Sequence, residues 1–445
     1  MPRFEDGVPS HGNRERFALS PAFWAHFERE HWEKRPLLIK NPFAEPILSP
    51  EATFKTLVRA SQRAGSTDDL PIGFYVDYGR LIAEVRKYLP LAADGSNRGY
   101  AERLSRALQG RRFALIAQEF QAENALLWFR LREFVRGLFA VVGVPGQGAK
   151  ATLFMGDYEK TPVGLHDGNS SNFKFIIEGR KKMRLWPGEF FRGKEEVERT
   201  LDYERFADGG VTLEGEPGDI IYWPSSNWHI GEPVDGLAVS ISLALFVHDQ
   251  PSAPHEIWAQ LARRIEESIG TTAIGDHDLF NPKQLPPRKR TVTAVANLAA
   301  RHLRESSRDP ELGEQIDAMW LNRATSFGFE FVPPPLPPKS LGDDAVVQGS
   351  AEYPIAWLPA SDDEMICSVN GHSFSIAANP NIIALFKKLN RAGSHRVRDL
   401  LDDFAGTIVR REVEFGATRE EIRALLEKLC GLRALIVNGA IAEDT

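Results

Sequence analysis

Two histidine-bearing segments, each read as the mouth of a β-strand, constrain this chain more than anything else in it. The first is Gly164-Leu165-His166-Asp167-Gly168-Asn169-Ser170-Ser171-Asn172-Phe173; the second runs from Pro217-Gly218-Asp219 through Ile220-Ile221-Tyr222-Trp223 to Trp228-His229. Two imidazoles, one at the mouth of each strand, suit a mononuclear iron(II) site, which commonly takes two histidines and one carboxylate on one face and leaves the other positions open. In extended backbone residues i and i+2 point the same way, so a His-x-Asp triplet supplies two ligands at once. Here the triplet reads His166-Asp167-Gly168, with glycine where the carboxylate would stand. Asp167 points away by alternation unless a bulge turns it round. His166 and His229 are therefore the expected metal ligands, and two protein ligands remain.

In order and spacing, Gly164-Leu165-His166, Asn172-Phe173, Gly179, Lys181 and Pro217-Gly218-Asp219 leading to Trp228-His229 resemble the JmjC/cupin-type iron(II) and 2-oxoglutarate oxygenases. The motif spacing is closest to that of the asparaginyl hydroxylases, and the chain as a whole resembles the ribosomal oxygenases. This resemblance implies a double-stranded β-helix (jelly roll) core, iron(II) as metal, and 2-oxoglutarate and O2 as cosubstrates. Lys181 takes the place of the lysine that pairs with the distal carboxylate of 2-oxoglutarate, where a cation supplies charge-assisted hydrogen bonds. By alternation only one of Lys181 and Lys182 faces the barrel, and spacing selects Lys181. Asn172 is a second candidate for the cosubstrate pocket, or else a strand-end asparagine bonded to its own backbone. Ser240 and Ser242 sit on a return strand, where core hydroxyls are the default.

Gly168 departs from the group, which has Asp or Glu there. In other branches of the superfamily, His-x-Gly or His-x-Ala marks radical halogenases. Two histidines and a bidentate 2-oxoglutarate fill four positions of an octahedron and dioxygen needs one. The sixth is open to chloride or bromide only when no carboxylate occupies it. The expectation is a radical halogenase acting on an unactivated C–H bond of an amino-acid side chain, its peptide or protein substrate implied by the resemblance alone. Three alternatives stay open: a hydroxylase with a two-histidine iron site, a non-catalytic cupin/winged-helix binding protein, and a Gly168 that merely serves a turn needing positive φ, with Asp167 or solvent completing the metal.

With 445 residues the chain has room for two or three cores. Short strands with turn residues at their ends, over 72–77, 113–118, 151–155, 172–177, 181–186, 220–223 and 238–246, make the fold class mainly β with helical additions, a jelly roll. The pair 172–177 and 181–186 reads as a hairpin turning at Glu178-Gly179-Arg180. Ser20-Pro21 and Ser49-Pro50 open helices, and helical spacing recurs over 81–89, 100–108 and 124–142. We expect N-terminal elements and the catalytic fold over 1–250. A helical region over 251–340, clearest at 255–269 and 291–305, ends in Pro333-Pro334-Pro335-Leu336-Pro337-Pro338; the resemblance makes it a dimerisation element, hence a homodimer. A winged-helix-like α+β domain over 341–445 follows, with helices at 382–389, 396–404 and 419–430 around a strand pair near 365–376.

Net charge is −7, and in the last domain arginines such as Arg396 and Arg410 alternate with Asp399 and Glu412, so no nucleic-acid partner is expected. Cys367 and Cys430 lie far apart, as in a reduced, cytoplasmic protein. The longest apolar run, 237–247, is broken by Ser240 and Ser242 and too short to span a bilayer, and the polar start Met1-Pro2-Arg3 opens no secretory segment.

Overall fold

The computed structural model describes residues 17–64, 71–81, 85–146, 148–193, 197–247, 310–361, 363–410 and 413–438, with isolated positions at 259, 262, 301, 303–305 and 308. The helices expected over 255–269 and 291–305 lie almost wholly outside the described residues. The chain forms two compact units. One takes in the described residues of Met1–His248 and Ser326–Pro337, the other those of Asp249–Thr325 and Pro338–Gly439.

The first unit is built on an antiparallel sheet of ten strands: β1 (Leu37–Ile39), β2 (Ile72–Val76), β3 (Gly79–Leu81), β4 (Phe113–Ala117), β5 (Ala149–Gly156), β6 (His166–Asp167), β7 (Ser171–Trp186), β8 (Val211–Gly215), β9 (Ile220–Trp223) and β10 (Trp228–Leu245). Their order is β1-β9-β7-β10-β5-β4-β2-β3, with β6 on β10 and β8 on β7. The large antiparallel sheet with helical additions is the jelly-roll class expected from the sequence.

The hairpin expected at Glu178-Gly179-Arg180 is absent: 171–186 is one bent strand. Its two halves pair with β10 rather than with each other, residues 180–186 against 228–234 and residues 171–178 against 239–245. Gly179 has φ +69°, and a Cβ there would lie 2.2 Å from the Leu237 carbonyl oxygen, so only glycine lets the bend pass so close to β10. Asp235 (φ 61°) and Gly236 (φ +106°) deviate opposite it. The bend lets one strand serve two parts of the sheet, its first half pairing β9 and its second β8.

The first half of β7, residues 171–177, is buried on both faces, including Asn172 and Lys174 among its apolar residues. Phe173, Phe175 and Ile177 join the main core with Trp24 and Phe27 of α1 (Pro21–Glu30) and Phe134 of a helix over Ala125–Val142, whereas Ile176 belongs to a separate cluster with Met183, Leu185, Ile221 and Trp223. Alternation places Asn172 and Lys174 on the Ile176 face. Helix α1 starts as expected, with the Ser20 hydroxyl accepting from the Phe23 N–H at 3.1 Å and proline in its first turn.

Asp219, fully buried in the turn before β9, accepts from Lys40 Nζ at 2.6 Å and from the backbone N–H groups of Glu216 and Asn41 at 2.8 and 3.1 Å. Asp219→Ala strands those amides without an acceptor, so we expect a loss of about 2–4 kcal/mol. Asp219→Asn, which keeps one acceptor oxygen, should lose less. Denaturant titration reads both, and an unchanged midpoint in the alanine variant would show that the turn does not depend on this carboxylate.

In the second unit, strands Ala356–Pro359, Glu364–Val369 and His372–Ala377 make one antiparallel sheet, and Val346–Gln348 pairs with both Ser394–Arg396 and Ile436–Val437. Helices Pro310–Thr325, Pro380–Leu389, Val397–Phe404 and Arg419–Gly431 and a strand pair, Gly406–Arg410 with Val413–Ala417, also belong to it, the last helix opened by a reciprocal Thr418–Glu421 cap. The unit is α+β, as expected. Cys367 and Cys430 are free thiols. Among the described residues no helix is long and apolar enough to cross a membrane.

Candidate metal centre

Strand β6 pairs with the start of β10 so that His166 stands opposite His229 and Asp167 opposite Trp228. The two imidazole centroids lie 4.3 Å apart, with ring planes at 55°. His166 Nδ1 is 2.9 Å from the Gly164 carbonyl oxygen, and His229 Nδ1 is 3.3 Å from that of Asn227. A carbonyl oxygen only accepts, so each Nδ1 donates and each Nε2 keeps its lone pair for a metal. Burial pushes the pKa of His166 down against the opposing pull of the Gly164 carbonyl. It pushes His229 well down, with the neighbouring His166 adding to the effect. Both rings are thus held neutral, the state in which imidazole ligates.

Each histidine is seated by contacts distant in sequence. Gly164 has φ +72°, and a Cβ there would lie 2.3 Å from the Arg199 carbonyl oxygen. Leu165, fully buried, donates its N–H to Thr200 at 2.9 Å and accepts from the Arg199 N–H at 2.6 Å, which fixes the backbone leading into His166. On the other side the Glu33 carboxylate accepts from the hydroxyls of Ser171 and Ser225 and from the Ser225 N–H, while the Glu33 N–H donates to the Tyr222 hydroxyl at 2.9 Å. Glu33 therefore ties the start of β7 to the loop that delivers His229. Sequence reading passed over it.

Among the described residues no third protein ligand joins the pair. Asp167 is exposed, and among the described residues no group of three or more His, Cys, Asp or Glu is placed to hold one metal ion. Gly168 is not in the left-handed region, so the reading of it as a turn glycine that needs positive φ does not hold. Its significance is spatial: a Cβ at 168 would lie 3.0 Å from His229 Cε1 and 3.5 Å from Nδ1. The position where a carboxylate would stand is beside the imidazole and empty of side chain. Two imidazoles with centroids 4.3 Å apart, each with Nδ1 bonded to a carbonyl and Nε2 left as lone-pair donor, would hold a divalent metal with two protein ligands.

His166, Gly168, Asn172, Lys174, Trp223 and His229 all line one cavity of ≈ 560 Å³. The Asn172 amide donates to the Ser170 carbonyl at 2.8 Å and its oxygen accepts from Ser242 at 3.4 Å, so it is satisfied locally while facing the cavity. Ser240 Oγ is buried with no partner. Lys181 is buried behind Gly231 and donates to the Tyr158 hydroxyl; a Cβ on Gly231 would stand 3.2 Å from its Cε. Burial, reinforced by nearby Lys174, pushes the Lys181 pKa well down. Lys182 is half-buried and lies 3.7 Å from Glu232.

Lys174 was not foreseen. Its Nζ sits 4.1 Å from the centroid of Phe154 and 5.7 Å from that of Trp223, and burial brings its pKa down to about 7. Ring contacts of this kind contribute about 0.5–2 kcal/mol, less than the several kcal/mol that burying an ammonium group costs. A lysine in a strand reads as solvated. The signal that it is not lies in the alternation Asn172-x-Lys174-x-Ile176 within a strand buried on both faces.

No protein-family model matches the sequence, and no curated protein matches it. Among solved structures, the chain is similar to the ribosomal oxygenase YcfD from Escherichia coli in complex with cobalt and 2-oxoglutarate, at 16% identity and a TM-score of 0.45 over 94% of this chain and 98% of that one. It is also similar to the same protein in complex with cobalt and succinic acid, at 15% identity and a TM-score of 0.46 over the same shares.

Proposed function

We propose that the chain is an iron(II)- and 2-oxoglutarate-dependent enzyme that functionalises an unactivated C–H bond on an amino-acid side chain of a peptide or protein, with chloride or bromide as the transferred group. One observation carries this reading: two imidazoles with free Nε2 atoms face each other beside a glycine that the backbone does not require. His166 and His229 hold the iron. Lys181 turns from the Tyr158 hydroxyl to the distal carboxylate of 2-oxoglutarate, and Asn172 borders the same space. When bound, iron with 2-oxoglutarate and O2 supplies the oxidising power to remove a hydrogen atom from carbon. The chain's own contribution is to keep the imidazoles neutral and the position beside Gly168 clear. On the same reading, resting on the family resemblance, the enzyme works as a cytoplasmic homodimer. Residues 1–250 carry the catalysis, 251–340 the dimer contact, and a winged-helix-like 341–445 a protein contact.

The test is product mass. Enzyme loaded anaerobically with iron(II), 2-oxoglutarate, chloride and candidate peptides, then exposed to air, should give a product with the chlorine isotope pattern. Addition of oxygen alone would make the protein a hydroxylase in which water takes the open position, and no consumption of 2-oxoglutarate with any peptide would favour a binding protein. Lys181→Met should weaken N-oxalylglycine binding to the cobalt-loaded protein by roughly 30-fold or more, since a desolvated carboxylate loses its cation. Unchanged affinity would remove Lys181 from the cosubstrate site.

A further inference from the structure

Lys174 and Trp223 both line the cavity that His229 lines. Lys174 is 4% exposed and, among the described residues, makes no hydrogen bond and no ion pair. Trp223 is 1% exposed, and its indole N–H is buried with no acceptor. The two meet, Lys174 Nζ standing 5.7 Å from the Trp223 ring, and Trp223 in turn packs on His229 with centroids 5.0 Å apart. Asp167 and Glu119 also line the cavity, yet neither pairs with Lys174. Burial disfavours the charged form of Lys174, which has no acceptor among the described residues, and an anion beside it would stabilise that form.

We propose that Lys174, standing over the Trp223 ring, forms a binding site for a small monovalent anion, separate from the dicarboxylate, on the cavity wall beside His229. The anion is either a free halide or a single carboxylate group of the substrate, and it binds whether or not metal is present. What it does there rests on the function proposed above: it is held within the cavity that contains the open position next to Gly168. The binding itself does not rest on that reading.

Bromide and formate serve as probes of the two sources. Bromide binding to the full-length protein is followed by 81Br line broadening, with and without cobalt(II), and formate is titrated as competitor. Saturable broadening is expected with the metal-free wild type. Lys174→Met should weaken it at least tenfold. Displacement by formate at lower concentrations than bromide itself assigns the site to a carboxylate; displacement only at higher concentrations assigns it to halide. Equal broadening by the wild type and Lys174→Met, or none by the wild type up to roughly 100 mM bromide, overturns the proposal. Lys174→Met also removes a buried charge, so its melting temperature should rise by about 2–4 °C, which separates lost binding from lost folding. Cobalt bound normally without bromide binding rejects the anion site alone, whereas bromide binding without cobalt uptake rejects the metal reading alone.

Discussion

His166→Ala and His229→Ala each abolish stoichiometric binding of iron(II) or cobalt(II), with affinity falling at least 100-fold. The expectation follows from the count of ligands: a site with two protein donors that loses one keeps a single imidazole, which holds a metal no better than a surface histidine. Neither substitution should unfold the barrel. His166 and His229 pair across β6 and β10 through backbone, and among the described residues their side chains hydrogen-bond to single carbonyls, at Gly164 and Asn227. Metal content by elemental analysis and folding by circular dichroism read the two effects separately. Near-normal metal content in both variants would show that the ion, if any, lies elsewhere.

Gly168→Asp is expected to turn the site into a three-ligand centre, tightening metal binding by roughly 10–100-fold and removing halide from the product. The backbone at 168 is not left-handed, so aspartate meets no φ penalty. Its Cβ would stand 3.0 Å from His229 Cε1, so that ring must yield by a few tenths of an ångström. Gly168→Ala brings the same crowding without the carboxylate and separates the two effects: it should bind metal no more tightly than the wild type. Halogenation that survives in Gly168→Asp would mean that the halide does not use the vacated position.

The two metal segments were legible because each joins a histidine to turn residues and alternating strand positions. The pairing of β6 with β10 that sets His166 opposite His229 is a finding of the structure. The bend in β7 was not legible. A Glu-Gly-Arg passage between two apolar runs looks the same locally whether it closes a hairpin or kinks one strand. What decides it is the partner strand, where Asp235 and Gly236 deviate in step with Gly179. Asn172 was read two ways, and the structure gives it both the local backbone bond and the cavity face. Glu33 acts on Ser171 across 138 positions of chain, and no local spacing announces such a tie. Lys174 escaped notice because a single lysine among apolar residues is ordinarily solvated, and only burial on both faces of its strand reveals otherwise.

The most direct measurement is an anaerobic crystal structure with iron(II), 2-oxoglutarate and bromide, the iron and bromine located by anomalous scattering. Iron bonded to Nε2 of His166 and of His229, with no side-chain carboxylate attached, is the predicted result. An aspartate or glutamate oxygen from this chain bonded directly to the iron would contradict it.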